Sequence, residues 1–429
     1  MRLLVSGKKD FSRFLKSLSQ RGEAGFHKVE GAVREILDQI KAGGDSALFR
    51  LTKKYDGWTP SGKTLKVSSG EIQKALKSQS REEMEALESA AERIERFHIL
   101  QMQKSWSFAE EDGTILGQIV RPMDRVGIYV PGGKASYPSS VLMNAIPARV
   151  AGVREIVMTC PAPGGYLNPA VLAAAHIAKV DLVFKIGGSQ AIGAMAYGTE
   201  TIPKVDKIVG PGNIYVASAK RMVFGEVSID SIAGPSEILI ISDGSGDPSH
   251  IAADLVSQAE HDEQAAAVLL CTSKSFTEKV RKEVSAQLAK LPRRGIAGRS
   301  LKDFGAVLIV KNLLEACRIS NELAPEHLEL AVKRPWNLLP RIENAGAIFL
   351  GHISPVPIGD YIAGPNHVLP TGGTSRFSSP LGVYDFLKRS SLICLSPAGL
   401  KKLSPTAMSL ARMENLEGHR RSIQEREGG

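Results

Sequence analysis

No stretch of this 429-residue chain approaches the roughly 20 consecutive apolar residues that a helix needs to cross a bilayer, so helical membrane spans are excluded. The amino terminus, MRLLVSGKKDFSRFLKS, soon turns polar and lacks the apolar core of a secretory signal. Cysteine is scarce: Cys160, Cys271, Cys317 and Cys394 lie far apart with no CxxC pair. That argues against a thiolate zinc site and a disulfide framework, and fits a reducing cytoplasm. Aromatic residues make up 6%, and no RNA-binding or helix-turn-helix signature accompanies the net charge of +9. The basic residues are interleaved with acids, as in REEMEALESAAERIERFH, so the charge reads as a solvated surface suited to drawing in an anionic cofactor. The dinucleotide fingerprint G-x-G-x-x-G is also missing.

A hydrophobic share of 43% with 23% charged residues belongs to a globular protein, and the length calls for two or more domains. Residues 1–110 read as helical. Ser80 and Glu83 form a capping-box signal, opening a helix whose Met84, Leu87, Ala91, Ile94 and Phe97 fall on one stripe expected to be buried. From about 115 the texture changes to short β-branched runs alternating with helical segments: VGIYV, EIVMT, DLVFKI and KIV, and after 236 EILII, AAVLL, AVLIV and GAIFL. This alternation predicts an α/β fold of two doubly wound, incomplete Rossmann-like parallel sheets. One would span roughly 127–236, and the other would be assembled from sequence on both sides of it. Residues 351–380 are rich in Gly, Pro and Ser and too long for a simple connector, which suggests a functional loop. The tail from 381 reads as helical and basic.

Several segments carry groups suited to chemistry. GIYVPGG (127–133), with Tyr129 and the pair Gly132-Gly133, IGGSQAIGAMAYG (186–198), with Gln190, and VGPGN (209–213), ending at Asn213, each follow a strand and precede a helix. Such junctions present free N–H groups that suit phosphate, although each alone reads more readily as a tight βα turn than as a nucleotide site. Three at carboxyl ends of strands in one sheet favour a nucleotide site. In DPSHIAADLVSQAEHDEQ, Asp247 before Pro248 is a helix start. Asp254, Gln258 and His261 then make one polar stripe, readable as a solvated face or a metal-binding one. Glu326 and His327 are neighbours whose side chains point opposite ways in an extended segment. Asp360, with His352 and His367, sits in the Gly/Pro-rich loop as a metal or substrate ligand or an Asx-turn residue, and Glu414 and His419 lie on a C-terminal helix.

The order of these segments carries more than any one of them. Ile229-Asp230 followed by Ala233-Gly234-Pro235-Ser236-Glu237 resembles the histidinol dehydrogenase signature, as do GIYVPGG, SQAEH (257–261), APEHLEL (324–330), GDYIAGPNHVLPT (359–371) and MENLEGH (413–419). They run from about 120 to the carboxyl end in that family's order, without a departure at a motif position. The resemblance implies two successive NAD-dependent oxidations of L-histidinol, through histidinal, to L-histidine, the closing step of histidine biosynthesis. It implies zinc held by Gln258, His261, Asp360 and His419, and substrate contacts from Ser236, His327, Glu414 and those same ligands. NAD would touch Tyr129, Gln190 and Asn213. It also implies a homodimer whose tail crosses to the partner, so that Glu414 and His419 complete the other subunit's site. The corresponding division is a helical arm at 1–24, a discontinuous zinc and substrate domain from 25–126 and 237–380, an NAD domain at 127–236, and the tail at 381–429.

Hydride leaves an alcohol carbon only as the hydroxyl proton departs, and His327, with an ordinary pKa near ~6.5, suits that role. An aldehyde must first add water, and Glu326 is the natural activator of that water. Zinc would act mainly as a template for the substrate. Two other readings differ in class. One keeps the machinery but oxidises another polar alcohol; the Glu414 carboxylate favours an imidazole N–H over an anionic sulfonate. The other is a basic nucleic-acid-binding or scaffold protein, which dispersed charge and the motif set oppose. No contact with nucleic acid or membrane is expected.

Overall fold

The computed structural model describes residues 1–427 apart from 20, 22, 133–135 and 233, so Gly133 and Ala233 of the motifs above lie outside the described residues. Two parallel sheets dominate. The first has six strands in the order Arg2–Val5, Gly305–Ile309, Ala266–Cys271, Glu237–Ser242, His327–Ala331 and Ala347–Leu350. The second has five, in the order Leu182–Lys185, Glu155–Cys160, Arg125–Tyr129, Lys207–Val209 and Ser228–Ile229. Every pairing in both is parallel. Their inner strands are buried on both faces, which is why EILII, AAVLL and VGIYV read as unbroken apolar runs rather than alternating ones.

The amino-terminal residues depart from the helical reading. Arg2–Val5 adds an edge strand to the six-stranded sheet, and Phe11, Phe14 and Leu18 of the next helix, Lys9–Ser19, pack on that sheet's core. Helices Glu23–Asp56, Ser69–Ser78 and Arg81–Ile99 pack on helices of the five-stranded sheet, and the last of them also meets the 237–380 segment, where Arg93 Nε donates to the Ile362 carbonyl at 2.8 Å. The Ser80–Glu83 capping box is present, with bonds of 2.7 and 3.2 Å. The buried stripe it opens runs through Ala90, Ile94 and His98, while Phe97 is exposed.

The tail also differs. Strand Leu387–Cys394 pairs antiparallel with Ile115–Pro122, which in turn pairs with Trp106–Ala109. Its alternation is weak because this three-stranded sheet is exposed on much of both faces, so composition alone suggested helix. Helices Pro397–Met413 and Glu417–Glu427 follow, and the last buries no residue. Among the described residues no helix is long and apolar enough to cross a membrane.

Candidate active site

Pro325, following Ala324 in the left-handed region (φ 50), separates helix Leu313–Leu323 from strand His327–Ala331. That strand lies beside Glu237–Ser242 with His327 opposite Ile238, which brings the Glu237 peptide next to both Glu326 and His327. The Glu237 N–H donates to Glu326 Oε2 at 2.8 Å, and the Glu237 carbonyl accepts from His327 Nδ1 at 3.1 Å. The two side chains therefore converge instead of diverging. Glu326 precedes the strand proper and escapes its alternation. His327 Nδ1 stands 3.7 Å from Glu326 Oε2.

With Nδ1–H given to a carbonyl, the neutral imidazole presents its lone pair on Nε2. That atom is buried without a hydrogen-bond partner and lies 3.4 Å from Asp360 Oδ1. Burial opposes the imidazolium, but the carboxylates of Glu326 and Asp360 outweigh it and push the His327 pKa up to about 9. The unperturbed basicity expected from the sequence is thus displaced by two neighbouring acids. Burial pushes Glu326 up to about 7, against the pull of the His327 charge and the Glu237 N–H. Burial also acts to raise Asp360, but its contact with His327 and the charges of His367 and His261 hold it below the usual range.

Asp360 sits on the short helix Val356–Tyr361, so the Gly/Pro-rich segment is not wholly loop. His367 Nδ1 contacts the Asp360 carbonyl at 2.7 Å and its Nε2 meets Ser140 Oγ at 3.2 Å, tying this segment to helix Pro138–Ala151. His352 is elsewhere, on Ser245 Oγ at 3.1 Å. Asp247 caps helix Pro248–Ala259. On that helix Asp254 and Gln258 are buried, which removes the solvated-face reading for both. His261 lies just beyond the helix end and is exposed. Gln258, His261 and Asp360 line one cavity of about 760 Å³, together with Tyr137, Leu142 and Arg293. Gln258 Nε2 is buried without a partner. Among the described residues no group of three or more His, Cys, Asp and Glu stands close enough to hold a metal. Ser236 is half-buried just before strand Glu237–Ser242, its carbonyl accepting from Ala266 N at 3.0 Å.

The three glycine turns gather at the carboxyl end of the five-stranded sheet. Tyr129 is buried and its hydroxyl accepts from Gly188 N at 3.2 Å; burial raises its pKa. Gln190 is buried one turn into the helix that Gly187 caps. Asn213 is exposed, and its Oδ1 accepts from Tyr215 and Val216 N–H, so its side chain caps helix Ile214–Val223. Gly210 has φ +109, and a Cβ there would strike the Tyr129 carbonyl. The turn is held by Asp230, which accepts from Gly210 N at 2.8 Å and is ion-paired to buried Lys220. Asp230 thus has a structural task within its motif.

Glu414 and His419 are exposed on the C-terminal helices and do not line the cavity. The chain therefore brings Gln258, His261, Glu326, His327 and Asp360 together, and leaves Glu414 and His419 apart from them. Sequence reasoning missed the Glu237 peptide, whose motif position was its only signal. It also missed the buried carboxyl pair Asp254–Glu329, which alternation along LELAV could have suggested. Burial raises both carboxyls, and the Asp254 charge raises Glu329 further.

A parallel sheet ending in glycine turns, joined to another that holds a buried acid and imidazole beside a cavity, is the architecture of an α/β enzyme built for proton chemistry. The sequence model described as histidinol dehydrogenase matches residues 19–427. The histidinol dehydrogenase of Syntrophotalea carbinolica is 56% identical over 423 residues, covering 99% of this chain and 98% of that protein. That of Geobacter sulfurreducens is 55% identical over 424 residues, covering 99% of each. The crystal structure of histidinol dehydrogenase from Elizabethkingia anophelis superposes with a TM-score of 0.92 at 36% identity, covering 99% of this chain and 98% of that one. The chain belongs to the histidinol dehydrogenase family, oxidoreductases that catalyse the final oxidation steps of histidine biosynthesis.

Proposed function

We propose that the protein oxidises L-histidinol to L-histidine through L-histidinal, with NAD as acceptor and zinc in the site. The observation that carries this reading is the Nδ1 contact of His327 with the Glu237 carbonyl, which leaves Nε2 buried beside Asp360 without a hydrogen bond. His327 Nε2 takes the hydroxyl proton as the carbinol carbon loses hydride. Glu326 takes a proton from the water that adds to the aldehyde carbon, and loss of a second hydride gives the carboxylic acid, which releases its remaining proton to solvent as the carboxylate. The hydride acceptor would be NAD, held by Tyr129, Gln190 and Asn213 at the carboxyl edge of the five-stranded sheet.

Gln258, His261 and Asp360 would hold zinc, with a fourth donor from His419 of the partner subunit. Gln258 lines one cavity with the imidazole and the carboxylate, which fits this role, with its amide oxygen as the atom that would bind. Zinc, when bound, orients the substrate and neutralises part of the charge that Asp360 otherwise places on His327. Ser236 and Glu414 are proposed substrate contacts. A homodimer is supported by the apolar side chains exposed around the three-stranded sheet and C-terminal helices, among them Trp106, Phe108, Ile393 and Met413, and by the separation of Glu414 and His419 from the cavity. A cytoplasmic setting agrees with four free thiols among the described residues.

Counting NADH formed from L-histidinol by the purified protein, before and after chelation, tests the proposal. Two NADH per substrate, lost with chelator and restored by zinc, is the expected result. Formation of one NADH with accumulation of aldehyde, or indifference to chelation, would refute it.

A further inference from the structure

Glu237 contacts both proposed catalytic side chains through its backbone, and its own side chain is anchored from outside the site. Oε2 accepts from Arg21 Nη2 at 2.7 Å, and Oε1 accepts from Gly372 N at 3.1 Å. Arg21 Nη2 also reaches the Pro235 carbonyl at 3.1 Å. The Arg21 side chain is 2% exposed, and its guanidinium lies 5.7 Å from the Phe304 ring centroid. Arg21 belongs to the connector between helices Lys9–Ser19 and Glu23–Asp56, which otherwise has no part in the site.

Resting on the function proposed above, we infer that Arg21 is a positioning residue: by pinning the Glu237 carboxylate it fixes the residue whose backbone N–H and carbonyl hold Glu326 and His327. The chain of contacts is continuous. Arg21 holds the Glu237 side chain, the Glu237 N–H holds the Glu326 carboxylate, and the Glu237 carbonyl holds His327 Nδ1. A shift of the Glu237 backbone weakens both bonds together. His327 then loses its fixed tautomer, and Glu326 its aim. Truncating Arg21 also leaves a buried carboxylate without its cation, which drives Glu237 towards solvent or protonation and releases the strand end.

The test uses Arg21→Met, Arg21→Lys and Glu237→Gln in the full-length protein. Each half-reaction is measured separately, starting from L-histidinol and from L-histidinal, alongside thermal unfolding. A second reading follows the His327 Nδ1 proton in ¹⁵N-histidine-labelled protein, assigned by its disappearance in His327→Asn. Arg21→Met is expected to lower kcat at least tenfold in both half-reactions, with KM for L-histidinol changed less than threefold. It is also expected to abolish the protected Nδ1–H signal. Arg21→Lys should recover part of each loss, and Glu237→Gln should fall between. If Arg21→Met does not fold, Glu237→Gln decides. An unchanged kcat and an intact Nδ1–H signal in the folded variants, whatever their melting temperature, would overturn the inference. Failure of the wild type to oxidise L-histidinol would instead refute the function, and the Nδ1–H signal would still report whether Arg21 orders His327.

Discussion

The two parallel sheets place their candidate functional groups at opposite ends. In the five-stranded sheet the glycine turns lie beyond the carboxyl ends of Arg125–Tyr129, Leu182–Lys185 and Lys207–Val209, where open α/β sheets usually bind ligands. In the six-stranded sheet the acid and imidazole lie at the amino ends of Glu237–Ser242 and His327–Ala331. The physical difference is what each end offers. A glycine turn exposes several N–H groups to a diffusible anion. The amino end of a strand offers one N–H and one carbonyl from the same residue, enough to fix one carboxylate and one imidazole of the protein itself. One end is suited to receiving a ligand, and the other to holding protein groups still.

Damage at the amino end should cost the most activity. His327→Asn removes the Nε2 base, and both half-reactions should fall on the order of 10²–10⁴-fold in steady-state assays while melting temperature stays near wild type. Damage at the carboxyl end should instead cost stability. Gly210→Ala puts a Cβ on a residue at φ +109 against the Tyr129 carbonyl, so unfolding by denaturant should show a loss of roughly 1–3 kcal/mol or more. Retention of wild-type stability in that variant would show that the turn relaxes freely.

Acidity sharpens the contrast. Burial pushes Glu326 up to about 7, and it must be ionised to accept a proton from water. Oxidation of L-histidinal should therefore rise with pH through about 7 and fall roughly tenfold per pH unit below it. A flat profile from pH 5 to 8 would remove Glu326 from that step.

The smallest effect lies behind the site, at Asp254 and Glu329. Burial raises both carboxyls, so the folded state binds protons that the unfolded chain has released, and stability falls as pH rises above the ordinary carboxylate range. Glu329→Gln keeps the shape and cannot ionise. Its melting temperature should match wild type near pH 5 and exceed it by about 2–4 °C near pH 9 if roughly 1 kcal/mol is recovered. A constant offset at both pH values would contradict the raised pKa values of this pair.

Much of this arrangement was legible in the sequence because buried parallel strands write themselves as apolar runs. EILII, AAVLL and VGIYV all lie in strands, and Asp247 starts its helix as its proline announced. The exposed antiparallel strand Leu387–Cys394 was not legible, because neither of its faces is consistently apolar. Nor was Arg2–Val5, whose pairing partner lies some 300 residues away at Gly305–Ile309. At the site, Gln258, His261 and Asp360 were marked by motif order, and the structure brings them to one cavity. What sequence could not display was a role carried by backbone: the Glu237 N–H and carbonyl are the same atoms in any residue, and only the register of two strands puts them to use.

The assignment of separate tasks to two adjacent residues is tested most directly by Glu326→Gln, supplied in turn with L-histidinol and L-histidinal. Aldehyde oxidation is expected to drop on the order of 10²–10⁴-fold while the alcohol step stays within a few-fold of wild type. Equal losses in the two steps would contradict the account.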